Sequence, residues 1–190
     1  MDGITFQSRI RIVTPKEFKG VVARYPKSKF VDYPWTIKES VLRNDAYTKG
    51  VIDCTVCGVT DGQAVFLNHI CPTMEDNIYY GKICEFLKSK ISTMDKRYLQ
   101  GFLLGSVGDE KRLSRQLFEV FRGFLNELNI PTSVFRHGLT PIDVAYSSKT
   151  DEWVVASEMV KQLRPKFSPE TGAELIFDEV KVSPLDELSW

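Results

Sequence analysis

A thiol becomes a useful nucleophile when a neighbouring base takes its proton, so the cysteines and histidines are the first residues to place. This chain has four cysteines, Cys54, Cys57, Cys71 and Cys84, and two histidines, His69 and His137. An isolated thiol, with a pKa near about 8.5, is only a few per cent thiolate at neutral pH; an adjacent imidazole raises that fraction and later returns the proton to a leaving group. The pair with the right spacing is Cys54 and His69. They stand on two apolar runs, residues 51–59 and 63–71, separated by Thr60-Asp61-Gly62. Asp-Gly between such runs signals a hairpin with a two-residue type I′ turn. With Asp61 and Gly62 as the turn, Thr60 pairs with Gln63, and Cys54 falls directly opposite His69, with Cβ atoms about 4.5–5.5 Å apart. The expectation rests on register, because a slip of one residue would carry one partner to the other face.

The same register sorts the other thiols. Cys54-x-x-Cys57 has the spacing of a redox or zinc motif, but residues three apart on a strand point to opposite faces and cannot share a metal. In this register Cys57 opposes Phe66 and is expected in the core. Cys71 lies diagonally from Cys54 on the His69 face and is the reserve nucleophile. Cys84 falls on the apolar stripe of a helix, where burial is the plain reading. His137 precedes a glycine and reads as a turn residue. A Cys facing a His also suits simple packing, so the surroundings must distinguish the two.

The elements that would position this pair follow from periodicity and punctuation. Residues 9–13 read as a short strand and 18–24 as a short helix or second strand. Tyr80, Ile83, Cys84, Leu87 and Ile91 recur at helical spacing and predict a helix over 78–91, with Thr73 or Asp76 as its cap. A buried strand is expected over 98–107. A long amphipathic helix is expected over 109–129, with Leu113, Leu117, Val120, Phe121, Phe124 and Leu128 as its stripe and Pro131 beyond its end. Strands follow at 133–136, 142–147 and 152–156, the last two joined by a turn at 149–151. A short helix over 156–163 and a strand at 175–182 complete the reading. Pro15, Pro26 and Pro34 mark residues 1–45 as an arm that wraps the domain; 46–157 form the central domain and 158–190 a C-terminal extension.

With 190 residues the chain is of one-domain size and needs no disulfide or metal staple. Its 25 basic and 25 acidic side chains cancel, so no net charge draws it to nucleic acid or to an anionic membrane. The N-terminal stretch lacks the apolar core of a signal peptide, and no apolar run approaches a membrane span. The expected setting is cytoplasmic, with reduced thiols.

At this point the residues resemble a known family. Thr48-Lys49-Gly50-Val51-Ile52-Asp53-Cys54, the hairpin, and Asn68-His69-Ile70-Cys71-Pro72 are similar to the CheD family of chemotaxis proteins, glutamine deamidases that act on chemoreceptors. That family has a Thr six residues before its catalytic Cys, then a hairpin, then a His in a His-x-x-Leu-Pro-like segment. Thr48, Cys54 and His69 fall on those positions. The later order is also similar: Tyr80-Gly81 early in a helix, Leu104-Gly105-Ser106 closing a strand, Asn129-Ile130-Pro131 after a long helix, and His137-Gly138 at a turn. The resemblance spans about residues 45–157. Ile52-Asp53 replaces the family's Gly-Ser, Gly105-Ser106-Val107 replaces Gly-Gly-Ala, and Cys71 stands where Leu is common.

The resemblance implies a cysteine-dependent protein-glutamine deamidase in which Cys54 is the nucleophile, His69 the acid and base, and Thr48 the residue that orients the imidazole. It implies a protein substrate of the chemoreceptor type, a signalling phosphatase-like protein as a further partner, and no cofactor; the strand geometry of the cysteines gives no metal site, and the neutral charge and hydropathy give neither nucleic acid binding nor membrane insertion. The alternative it leaves is a non-catalytic binding module on the same scaffold. Elements and resemblance together predict an α+β fold, CheD-like, with layered mixed or antiparallel β-sheets and two main flanking helices.

Overall fold

The computed structural model describes residues 9–24, 29–30, 41–72, 76–106, 112–137, 141–157, 164–167 and 175–178. Within them the chain is a mixed α+β fold of two sheets and three α-helices. The first sheet takes β1 (Arg9–Val13), β10 (Glu152–Ala156), β9 (Ile142–Ser147), β4 (Asp45–Val51) and β2 (Lys29–Phe30), in that order. The second takes β11 (Arg164–Phe167), β12 (Leu175–Asp178), β8 (Thr132–His137), β7 (Gln100–Ser106), β5 (Thr55–Thr60), β6 (Val65–Ile70) and β3 (Val41–Arg43). Both sheets mix parallel and antiparallel neighbours.

Strand alternation divides the apolar residues among three cores. Ala46, Val144, Tyr146, Trp153 and Val155 of the first sheet meet Val56, Val65, Leu67, Phe102, Leu104 and Phe135 of the second. The other face of the second sheet, with Cys57, Val59, Phe66, Ile70, Leu103 and Val134, packs under α2 (Asp76–Ile91) and α3 (Arg112–Glu127). The other face of the first sheet, with Ala145, Val154 and Ala156, takes Phe18 and Val21 of α1 (Pro15–Ala23). The layers therefore run helix, sheet, sheet, helix pair. Between the sheets, the Trp153 ring stacks on Phe102 with centroids 4.5 Å apart, and Tyr146 lies 4.8 Å from Trp153. Burying side chains of this size contributes roughly 1.5–3 kcal/mol each.

Local chemistry explains the elements. Thr14 caps α1 with a full capping box: its Oγ1 accepts the Glu17 N–H at 3.3 Å, the Glu17 carboxylate accepts the Thr14 N–H at 2.8 Å, and Pro15 opens the helix. β7 and β8 are parallel, which needs a crossover, and α3 supplies it. The buried side of α3 carries Leu117, Phe118, Phe121, Phe124 and Leu125, so Phe118 and Leu125 join the expected stripe, while Val120 and Leu128 are its partly buried margins.

Several expectations need correction. Residues 51–59 are not one strand: Val51 ends β4 in the first sheet, residues 52–54 bend, and β5 begins at Thr55 in the second. The hairpin loop has four residues, 61–64, because Thr60 pairs with Val65 and not with Gln63. Gly62 alone in the loop has positive φ, +85°, whereas a type I′ turn needs two such residues. Asp61 instead folds its carboxylate back: Oδ1 accepts the N–H groups of Gln63 at 3.0 Å and Ala64 at 2.9 Å, and Thr60 Oγ1 donates to the Ala64 carbonyl at 2.7 Å. Tyr98 sits in a 3₁₀ turn, Lys96–Tyr98, ahead of β7. Pro165, expected to end a short helix, stands within β11. The expected cap Thr73, residues 109–111 of the long helix and residues 158–163 lie outside the described residues.

Candidate functional site

The two sheets are joined at one edge of their shared core by the step from β4 to β5, and this step carries the chemistry. Along β4, Ala46 and Thr48 face the second sheet, and Thr48 is wholly buried. The ladder to β9 then shifts: Thr48 pairs with Val144 but Val51 with Ile142, so Lys49 and Gly50 together oppose Asp143. This is a one-residue β-bulge. Gly50 takes the left-handed conformation, φ +66°, and its N–H donates to Asp143 Oδ1 at 2.9 Å. The bulge turns the chain away from the first sheet, and Val51-Ile52-Asp53-Cys54 cross to the second.

On the second sheet His69 lies on β6, on the face that looks back at β4. Its Nδ1 is 2.7 Å from Thr48 Oγ1 in a buried hydrogen bond that ties β4 of one sheet to β6 of the other. Thr48 and His69 are thus held together across 21 residues of sequence. Cys54, one residue before β5, belongs to the same core between the sheets, with Val56 and Leu67 as fellow members. The three residues singled out by the sequence share this inter-sheet layer.

The register that led to them is different in detail. His69 pairs with Val56, and the ladder ends on Thr55 paired with Ile70. Cys54 is therefore not directly opposite His69 but two residues further along the same face. The longer loop displaced the pairing by two positions, an even number, and an even displacement preserves faces where an odd one would exchange them. Cys57 pairs with Asn68 and not with Phe66, although it does lie on the far face, fully buried under the helices. Cys71 packs against the inter-sheet core, one residue beyond the ladder on the His69 side, as Cys54 is one residue beyond it on the other strand's side. Cys84 packs half-buried on the helix side. His137 closes β8, where it pairs with Ser106.

Exposure and charge complete the site. Cys54 keeps 8% of its surface accessible and His69 5%, so both meet solvent only at their edges. Ile52, beside Cys54 in the crossing, is 39% exposed, one of two large apolar side chains so exposed among the described residues. Burial, reinforced by the charge of nearby Cys84, pushes the Cys57 thiol far above its ordinary range; burial and then Glu127 push Cys84 up to about 11. A cavity of about 460 Å³ lies elsewhere, between the C-terminal ends of α2 and α3, lined by Lys88, Ile91, Lys96, Leu99 and Ile130 among others. No group of three or more His, Cys, Asp or Glu among the described residues could hold a metal ion. No helix among them is long and apolar enough to cross a membrane.

The features that sequence reasoning missed are the bulge at Gly50 and its partner Asp143. A single glycine inside a strand is a bulge signal. The apolar run 51–59 follows Gly50 directly and hides that the glycine lies near the end of a strand in the other sheet. No protein-family model matches the chain, and no curated protein matches it.

Proposed function

We propose that the protein is a Cys–His thiol hydrolase that converts a glutamine side chain of a protein partner to glutamate. The observation that carries this reading is the buried 2.7 Å contact between Thr48 Oγ1 and His69 Nδ1, on the face that Cys54 shares. A histidine that serves as base needs one ring nitrogen fixed so that the other exchanges protons in one orientation. With Thr48 Oγ1 accepting the Nδ1–H, Nε2 is the nitrogen that takes the thiol proton.

The steps follow from those roles. The Cys54 thiolate adds to the carboxamide carbon of the glutamine, and the C–N bond breaks as His69 delivers its proton to the departing ammonia. A water then loses a proton to His69 and attacks the thioester. The C–S bond breaks, glutamate leaves, and the thiol is restored. Backbone N–H groups around the 52–54 bend are the natural donors to the developing oxyanion. Ile52 offers an apolar contact for the segment that presents the glutamine.

The near-burial of Cys54 and His69 favours a second reading, a binding module that docks a signalling partner through the same rim without turnover. The two readings part on one experiment. Glutamine-containing receptor fragments are incubated with the parent protein, Cys54→Ala and His69→Ala, and both ammonia release and the amide-to-acid mass change are followed. The hydrolase reading predicts turnover by the parent, none by Cys54→Ala, and a loss of about 10²–10⁴-fold in His69→Ala. Fragment binding by the parent without any mass change would establish the binding module instead.

A further inference from the structure

The four cysteines divide into two pairs, one on each face of the second sheet. Cys57 and Cys84 belong to the helix side, Cys57 fully buried and Cys84 half-buried. Cys54 and Cys71 belong to the inter-sheet side. The β5–β6 ladder ends on Thr55 and Ile70, and the residues just outside the two strands at that end are Cys54 and Cys71. Both are thiols in this structure. The last ladder pair, Thr55 and Ile70, fixes the two chains at the Cα spacing of directly opposed residues, about 4.5–5.5 Å, and the two thiols follow it by one residue each, so a small closure of the chain ends brings them within the roughly 4.4–6.8 Å that a disulfide accepts.

We propose that Cys54 and Cys71 form a reversible disulfide when the protein meets hydrogen peroxide, making this pair an oxidative modification site. Cys71, partly exposed beside Pro72, is the thiol that an oxidant in solvent reaches. Its thiolate attacks one peroxide oxygen, the O–O bond breaks, and the other oxygen leaves as water after protonation, which gives a sulfenic acid. The Cys54 sulfur then attacks the Cys71 sulfur, the S–O bond breaks, and a second water departs. Two thiols are oxidised, one peroxide is reduced to two waters, and a thiol reductant reverses the step.

Selectivity comes from the other pair. Cys57 and Cys84 lie across the sheet from Cys54 and Cys71, and a disulfide cannot pass through a strand layer. Their raised thiol pKa values also leave little thiolate to react near neutral pH. The proposal stands on register and burial and does not depend on the deamidase reading. Where that reading also holds, the disulfide removes the nucleophile and so switches activity off.

The test uses the full chain. It is treated with hydrogen peroxide under native conditions, and its intact mass is measured before and after a reductant. Cleavage before aspartates then separates residues 53–60 from 61–75, and fragmentation distinguishes Cys54 from Cys57. The expected result is a reversible loss of two hydrogens in most of the chain, a linked peptide joining Cys54 to Cys71, and loss of that link in Cys71→Ser but not in Cys84→Ser. A link to Cys57 or Cys84 in the parent would overturn the proposal. So would recovery of Cys54 and Cys71 as thiols or as sulfinic acids with no link between them. The decisive measurement is on the parent, so a folding defect in a variant does not cloud it.

Discussion

Cys54 and Cys57 are three residues apart on the same stretch of chain, and the sheet gives them opposite fates. Cys54 joins the layer between the sheets, at an edge, with 8% of its surface reachable and the Thr48–His69 pair on the same face. Cys57 faces the helices and is wholly buried in the core beneath α2 and α3, the core that also holds Phe66, Phe118 and Phe121. The residue type is the same, so the difference lies wholly in strand parity and in what each face meets. A strand two layers deep has one side committed to stability. Chemistry is left to the other side, and there only at its rim.

The sharpest contrast is functional. Cys54→Ala is expected to abolish deamidation, whereas Cys57→Ala leaves the rate near the parent's and lowers stability by roughly 1 kcal/mol through the small cavity it opens. Parallel turnover assays and urea titrations separate the two. Loss of turnover in Cys57→Ala at unchanged stability would erase the distinction between the faces.

Next in size is the inner face itself. A Cβ at Gly58 would overlap the Trp153 indole, which is fully buried and stacked on Phe102 and so cannot swing aside. Gly58→Ala is expected to cost about 1–3 kcal/mol, read as a lowered urea midpoint at an unchanged slope. An unchanged midpoint would mean that the two sheets are not packed through this contact.

The hairpin was legible from Asp61-Gly62 between two apolar runs, and the faces of His69 and Cys57 came out as read because the register differs by an even number of residues. Exact pairing was not legible, since it hung on whether Asp61 would adopt positive φ or use its carboxylate. The carboxylate accepts three backbone N–H groups, those of Gln63, Ala64 and Asp95, and the third comes from 34 residues away. No local pattern announces that third bond. The placement of Thr48 beside His69 was likewise invisible to periodicity, because it joins two sheets. It entered only through the family resemblance. The division of residues 51–59 between two sheets was hidden by their unbroken β-branched character, with Gly50 the single clue.

The smallest effect is the pH dependence of stability. Burial raises the pKa of Cys57 and Cys84 in the folded state, Cys84 up to about 11, so the unfolded chain releases these protons first as pH rises. Their contribution is therefore intact below about pH 8.5, where the unfolded thiol titrates, and is lost progressively as pH climbs from there towards 11 and beyond. Urea midpoints between pH 7 and 11 should fall less steeply in Cys57→Ala than in the parent. Equal slopes would mean that the thiols on the helix face ionise as easily as those of the unfolded chain.

Site-resolved alkylation reads whether His69 activates Cys54 while Thr48 orients the imidazole. Each cysteine's reaction with iodoacetamide is followed by mass spectrometry from pH 6 to 9 in the parent, His69→Ala and Thr48→Val. With His69 as its base, Cys54 is expected to react fastest in the parent at neutral pH, to slow several-fold or more in His69→Ala, and to slow less in Thr48→Val, while Cys57 and Cys84 stay slow in all three. A Cys54 rate that is no greater than those of Cys57, Cys71 and Cys84, or that is unchanged by His69→Ala, would contradict it.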